Sequence, residues 1–106
     1  MDPVQGQLEA YNARDLERFL ACYTQDVVIE DGAGNLLMKG HEEMRKRYGP
    51  MFAEHPDLHC RIASRIRIND YVVDEERITG RGPAEVHAVA IYRVAGDLIT
   101  HVRFLR

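Results

Sequence analysis

At 106 residues the chain has room for one domain, spanning 1–106, and none for a second. Its 14 lysines and arginines against 17 aspartates and glutamates give a net charge of -3, which offers no overall attraction to nucleic acid or an acidic membrane surface. It is 45% hydrophobic, yet no apolar run approaches the roughly 20 residues needed to cross a bilayer, so a globular cytoplasmic protein is expected.

Val4, Leu8 and Tyr11 recur at intervals of four and three, which predicts an amphipathic helix over about Pro3 to Ala13 with Pro3 in its first turn. Asn12-Ala13-Arg14-Asp15 breaks it, and Asp15 suits the N-cap of a second helix through Leu16, Phe19, Leu20 and Tyr23. The stretch Gln25 to Gly32 then reads as a short strand, rich in β-branched residues, that carries Glu30 and Asp31 to its far end. Gly32-Ala33-Gly34-Asn35 is a turn, and Leu36-Leu37-Met38 a short return strand ending at Gly40. A third helix is expected from about His41 to Phe52, with Met44, Tyr48, Met51 and Phe52 as its apolar side. Pro50 should bend it or end its regular part. Arg45-Lys46-Arg47 suits a solvated face of this helix.

The remainder reads as long strands. Alternation puts Leu58, Cys60, Ile62, Ser64, Ile66 and Ile68 on one face of the first, with His59, Arg61, Ala63, Arg65 and Arg67 on the other. A two-residue turn at Asn69-Asp70 would set Arg65 opposite Asp74 and Ala63 opposite Glu76, partly neutralising the arginine row. After a flexible bend at Ile78 to Pro83, Ala84 to Val94 forms a strand with Val86, Ala88, Ala90, Tyr92 and Val94 on one face. Ala95-Gly96-Asp97 turns into a last strand, Leu98 to Leu105, whose alternation favours Leu98, Thr100, Val102 and Phe104 inward. Cys22 and Cys60 lack the spacing of a zinc or redox motif and read as buried reduced thiols. His55 and His59 straddle Pro56 and a helix-to-strand change, which removes the shared face a metal pair would use. His87 and His101, on adjacent strands, suit an outward surface or a dimer interface. With no glycine pattern for a dinucleotide or phosphate loop, neither a metal nor a cofactor is expected.

Tyr11-Asn12-Ala13-Arg14-Asp15-Leu16-Glu17, Tyr23 through Glu30-Asp31-Gly32, Gly40 with Met44-Arg45 and Tyr48, and Ala90-Ile91-Tyr92-Arg93 before Gly96 occur in a telling order and spacing. Over almost the whole chain this resembles the nuclear transport factor 2-like superfamily, in its SnoaL-like and ketosteroid isomerase-like branch. The resemblance implies an α+β cone: a curved antiparallel sheet packed on three N-terminal helices, enclosing a mostly apolar pocket, commonly a homodimer through the outer sheet face. It also implies that Asp31 is the general base of a proton transfer next to a carbonyl, since it matches the isomerases' base. Read from the residues alone, Asp31 better suits a cap of the Gly32 turn; only the resemblance brings the base reading level with it. The isomerases' enolate-stabilising tyrosine and protonated aspartic acid match Gln7 and Ala90 here, and Ala90 can donate no hydrogen bond. Tyr11, Tyr23, Tyr48, Phe52 and Tyr92 are expected around the ligand, with Gln7, and Ala88 and Ala90 leave space above their strand.

The expected function is binding of a small apolar or carbonyl-containing molecule. If the protein is catalytic, cofactor-free isomerase, cyclase or lyase chemistry would run with Asp31 as base. The alternative is a non-catalytic ligand-binding or dimerisation module, because this superfold hosts many roles. The exposed arginine row and Ile99 also suggest a protein interaction surface on the outer sheet face.

Overall fold

The computed structural model describes residues 2–106. Three helices come first or interleave with the early strands: α1 (Pro3–Ala13), α2 (Leu16–Leu20), β1 (Tyr23–Asp31), β2 (Leu36–Lys39) and α3 (Gly40–Glu54). Four long strands follow: β3 (His59–Ile68), β4 (Tyr71–Thr79), β5 (Val86–Ala95) and β6 (Leu98–Leu105). They form one mixed sheet in the order β2-β1-β6-β5-β4-β3, in which only β1 and β6 run parallel. The helices cover one face of it, α1 against β3 and β6, and α3 against β1 and β2. This is the expected α+β arrangement.

Local chemistry sets the helix ends. The Asp2 carboxylate accepts hydrogen bonds from the Val4 and Gln5 amides at 3.2 Å each, and Pro3 fills the first turn. Arg14, in the left-handed region at φ 52°, stops α1, and the Asp15 side chain caps α2 through the Arg18 amide. Asn12 then pins α1 to the sheet: its amide nitrogen donates to the Cys60 carbonyl at 3.0 Å, and its oxygen accepts from the Cys60 amide at 2.7 Å. Helix α2 ends at Leu20, so Tyr23 opens β1 instead of closing the helix. Pro50 does not end α3, which continues to Glu54. Both Pro50 and Lys46, whose carbonyl loses its donor to the proline, are exposed, so water can take that bond.

Two bulges overturn the simple alternation. Ile62 pairs with Glu76 but Ser64 pairs with Glu75, so Ala63 is an extra residue in β3. Beyond it every side chain changes face: Arg65 turns inward against Asp74, whereas Ile66 and Ile68 are 60% and 58% exposed. The expected Arg65–Asp74 pairing holds, but Glu76 faces Ile62 in the register, not Ala63. In β6, Arg93 pairs with His101 and Val94 with Ile99, which leaves Thr100 as the extra residue. Ile99 is thereby fully buried and Leu98 exposed, the reverse of the expected order.

The core lies between the helices and the inner sheet face. Phe19 is its hub, with ring centroids 4.8 Å from Tyr48, 5.1 Å from Tyr23 and 5.5 Å from Phe52.

Candidate functional site

The inner sheet face and the helices leave a cavity of about 50 Å³. Gln7 and Tyr11 of α1, Tyr23 of β1, Tyr48 of α3, Glu76 of β4 and Tyr92 of β5 reach it. Periodicity explains this convergence: positions 7 and 11 share one helix face, and 76 and 92 lie on inward parities of neighbouring strands.

The polar groups form one chain. Tyr23 donates its hydroxyl to Gln7 Oε1 at 3.2 Å, and Gln7 Nε2 donates to the Val4 carbonyl at 3.0 Å and to the Tyr92 oxygen at 3.2 Å. The Tyr92 hydroxyl in turn points to Glu76 Oε2 at 3.4 Å. Glu76 makes no other hydrogen bond among the described residues, which leaves the rest of its carboxyl to the cavity. The Tyr48 hydroxyl makes none there either, so both groups are open to a ligand.

Glu76 is 5% exposed and carries no ion pair of its own. Its neighbour on the same face, Asp74, is fully buried and takes the available cation, with Arg65 Nε and Nη2 donating to its two carboxylate oxygens at 2.6 and 2.9 Å. Desolvation, then the Asp74 charge, push the Glu76 carboxyl up to about 7, against weaker opposition from Arg106, the Tyr92 hydroxyl and Arg65. Burial also pushes the phenols of Tyr11, Tyr23, Tyr48 and Tyr92 up, so these rings serve as neutral donors.

Of the residues expected around a ligand, Gln7, Tyr11, Tyr23, Tyr48 and Tyr92 line the cavity. Phe52 is buried behind it, edge-on to Tyr11 with centroids 5.5 Å apart. Ala88 and Ala90 are not on its wall: the register sets them opposite Glu76 and Asp74, so the room they leave lies beside the two acids. Asp31 requires the larger correction. It lies outside the cavity wall, and its carboxylate is engaged by the turn that follows β1. Oδ1 accepts from the Ala33 and Asn35 amides at 3.0 and 2.9 Å, and Oδ2 from the Asn35 side chain at 3.0 Å. Those bonds, led by the Asn35 side chain, lower its carboxyl below the usual range. Glu76 escaped the sequence reading because regular alternation put Asp74 and Glu76 with the arginine row, away from Cys60 and Ile62; the bulge at Ala63 lets Cys60 and Arg65 both face inward, which brings Asp74 and Glu76 inside with Arg65.

His87 and His101 lie on the outer face, each against a glutamate and not each other: His87 with Glu75 at 2.7 Å, His101 with Glu30. Cys22 and Cys60 are free thiols, half-buried and buried. No cluster able to hold a metal ion occurs among the described residues, and no helix there is long and apolar enough to cross a membrane.

A sequence profile of the SnoaL-like domain matches residues 4–102. The chain belongs to the SnoaL-like family. Curated protein sequences give no match to it. Among solved structures, this SnoaL-like chain is similar to an uncharacterized cystatin-fold protein from Novosphingobium aromaticivorans, at 27% identity and a TM-score of 0.90 over 100% of this chain and 99% of that one. A protein of ketosteroid isomerase-like fold from Catenulispora acidiphila, solved in complex with trimethylamine, matches at 19% identity and a TM-score of 0.77 over 96% and 82% of the two chains. A Sinorhizobium meliloti protein provisionally described as a polyketide cyclase matches at 14% and 0.82 over 96% and 92%. These last two likenesses establish the SnoaL-like fold and nothing of the chemistry.

Proposed function

We propose that this protein binds a small carbonyl-containing molecule in the tyrosine-lined cavity and moves a proton on it without a cofactor, with Glu76 as the base. The observation that carries this reading is the buried carboxyl of Glu76 on the cavity wall, which has no ion-pair partner among the described residues and whose affinity for a proton is matched to neutral pH. The Glu76 carboxylate would take a proton from the carbon beside the carbonyl and return it from the resulting carboxylic acid. The free Tyr48 hydroxyl would meanwhile donate a hydrogen bond to the carbonyl oxygen. Asp31, the base expected from the resemblance, would have to release three hydrogen bonds and leave the turn to do the same.

Size limits the substrate. Pockets for drug-sized ligands span roughly 300 to 1,000 Å³, against about 50 Å³ here, so a short-chain molecule fits better than a steroid. Proton-for-deuterium exchange beside the carbonyl of small ketones and oxo acids in heavy water, followed by NMR, tests the assignment. Glu76→Gln should slow exchange about a hundredfold or more, and Asp31→Asn should leave it within a few-fold. Equal exchange by wild type and Glu76→Gln would sink Glu76 as the base.

A second reading, binding without turnover, is favoured by Gln7, whose amide already serves Val4, Tyr92 and Tyr23 and so has little donor capacity left for an enolate. Ligand-induced shifts at Gln7 and Tyr92 with no exchange in any substrate tested would select it. We further propose that two copies associate through the outer sheet face, where Ile66, Ile68, Tyr71 and Leu105 are exposed.

A further inference from the structure

Eight lysines and arginines pair with carboxylates: Arg18, Arg45, Lys46, Arg65, Arg67, Arg77, Arg93 and Arg103. Six have no carboxylate partner among the described residues, and three of those six, Arg47, Arg81 and Arg106, line the cavity. They arrive from separate parts of the chain, one on α3, one in the loop after β4 and one beyond β6. Burial and the Glu76 charge raise the Tyr48 phenol, and Arg106, Arg47 and Arg81, which share the cavity wall with it, oppose that rise. A chain of net charge -3 thus brings three arginines without a carboxylate partner to the cavity that Glu76 lines, Arg106 lying over the Phe104 ring at 4.8 Å.

We propose that the ligand is a small carboxylic acid, its carboxylate held by Arg47, Arg81 and Arg106 and its short apolar or carbonyl-bearing body placed on the tyrosines beside Glu76. This rests on the reading that the cavity binds a small molecule. The guanidiniums supply donors in the planar fork that a carboxylate matches. The interior admits only a few atoms, since one water needs about 10 to 15 Å³ on the same measure, and its wall is aromatic, which suits a singly charged head with a short body better than a phosphate. Arg47 and Arg106 are exposed and Arg81 half-buried, so the head would sit at the rim and keep part of its water.

Calorimetric titration of the whole chain with 2-oxobutyrate and butyrate, beside the uncharged 2-butanone and butyramide and inorganic phosphate, tests this. NMR shifts of the Gln7 side-chain amide report occupancy of the cavity. The carboxylates should bind roughly tenfold more tightly than their neutral counterparts, and the difference should shrink as salt rises from about 20 to about 500 mM. Replacing Arg47, Arg81 or Arg106 by Gln should weaken carboxylate binding roughly threefold each without affecting the neutral ligands. Arg61→Gln, an exposed arginine away from the cavity, should change neither, and thermal unfolding of each variant checks that it folds. Neutral ligands that bind as tightly as the acids, with Gln7 shifting, would overturn the anion assignment while keeping the cavity reading. Phosphate binding as tight as 2-oxobutyrate would overturn the carboxylate. No Gln7 shift with any of these compounds would overturn both.

Discussion

Glu76 differs from the other carboxylates of this chain in what replaces its lost water. Asp74, two residues away, receives two guanidinium hydrogen bonds, and Asp31 receives amide hydrogen bonds, whereas Glu76 receives one long bond from Tyr92. The charged form of Glu76 is therefore disfavoured by folding. The unfolded chain releases this proton near 4.5 and the folded chain near 7, so between those values the unfolded state holds fewer protons and stability falls as pH rises. Glu76→Gln removes that loss. Chemical denaturation from pH 4 to 8 should show the variant gaining on wild type by about 2 to 3 kcal/mol across the window; parallel profiles would mean that Glu76 is hydrated and not the site described. Asp31 has the opposite sign: its contribution is present above the ordinary carboxylate range and lost as pH falls through its lowered value.

The same question of which group faces inward is settled one scale up, by single extra residues in strands. Ala63 turns Arg65 toward Asp74 and puts Ile66 and Ile68 outside; Thr100 turns Ile99 inward. Without the first, a regular hairpin that kept Cys60 inward would put Arg65, Asp74 and Glu76 together on the solvent face. The bend that closes the helix side of the sheet depends on another single position. Gly80 sits at φ 87° just after β4, and a Cβ there would collide with the Asp57 carbonyl. Gly80→Ala should cost about 3 kcal/mol or more, from backbone strain with a clash that no rotamer relieves. Equilibrium unfolding measures this, and a loss below about 1 kcal/mol would show that the loop relaxes freely.

For the whole molecule, the sheet separates two environments. Its inner face holds the aromatic core and the cavity, while its outer face mixes exposed Ile66, Ile68, Tyr71 and Leu105 with the pairs His87–Glu75 and His101–Glu30. Sedimentation should find a dimer for the wild type and a monomer for Ile66→Asp, and a wild-type monomer at all concentrations would remove the proposed interface. Much of this architecture is legible in the sequence. Pro3 and Asp15 mark the starts of two helices, and glycine-containing turns separate β-branched runs, because caps and turns depend on neighbours along the chain. The order of the Tyr11 to Glu17 and Tyr23 to Gly32 segments also points to the family, and the resemblance, not periodicity, is what brought Tyr23 and Tyr48 to the cavity, since periodicity alone put Tyr23 on α2. The position of Asp31 at the end of β1 is legible too, but not which way its carboxylate turns. The faces of β3 and β6, the acid that reaches the cavity and the arginines at its rim were decided by tertiary structure alone. A bulge shifts the period of two by one residue at no visible signal in the sequence, and a residue's loss of water depends on groups that come from distant parts of the chain.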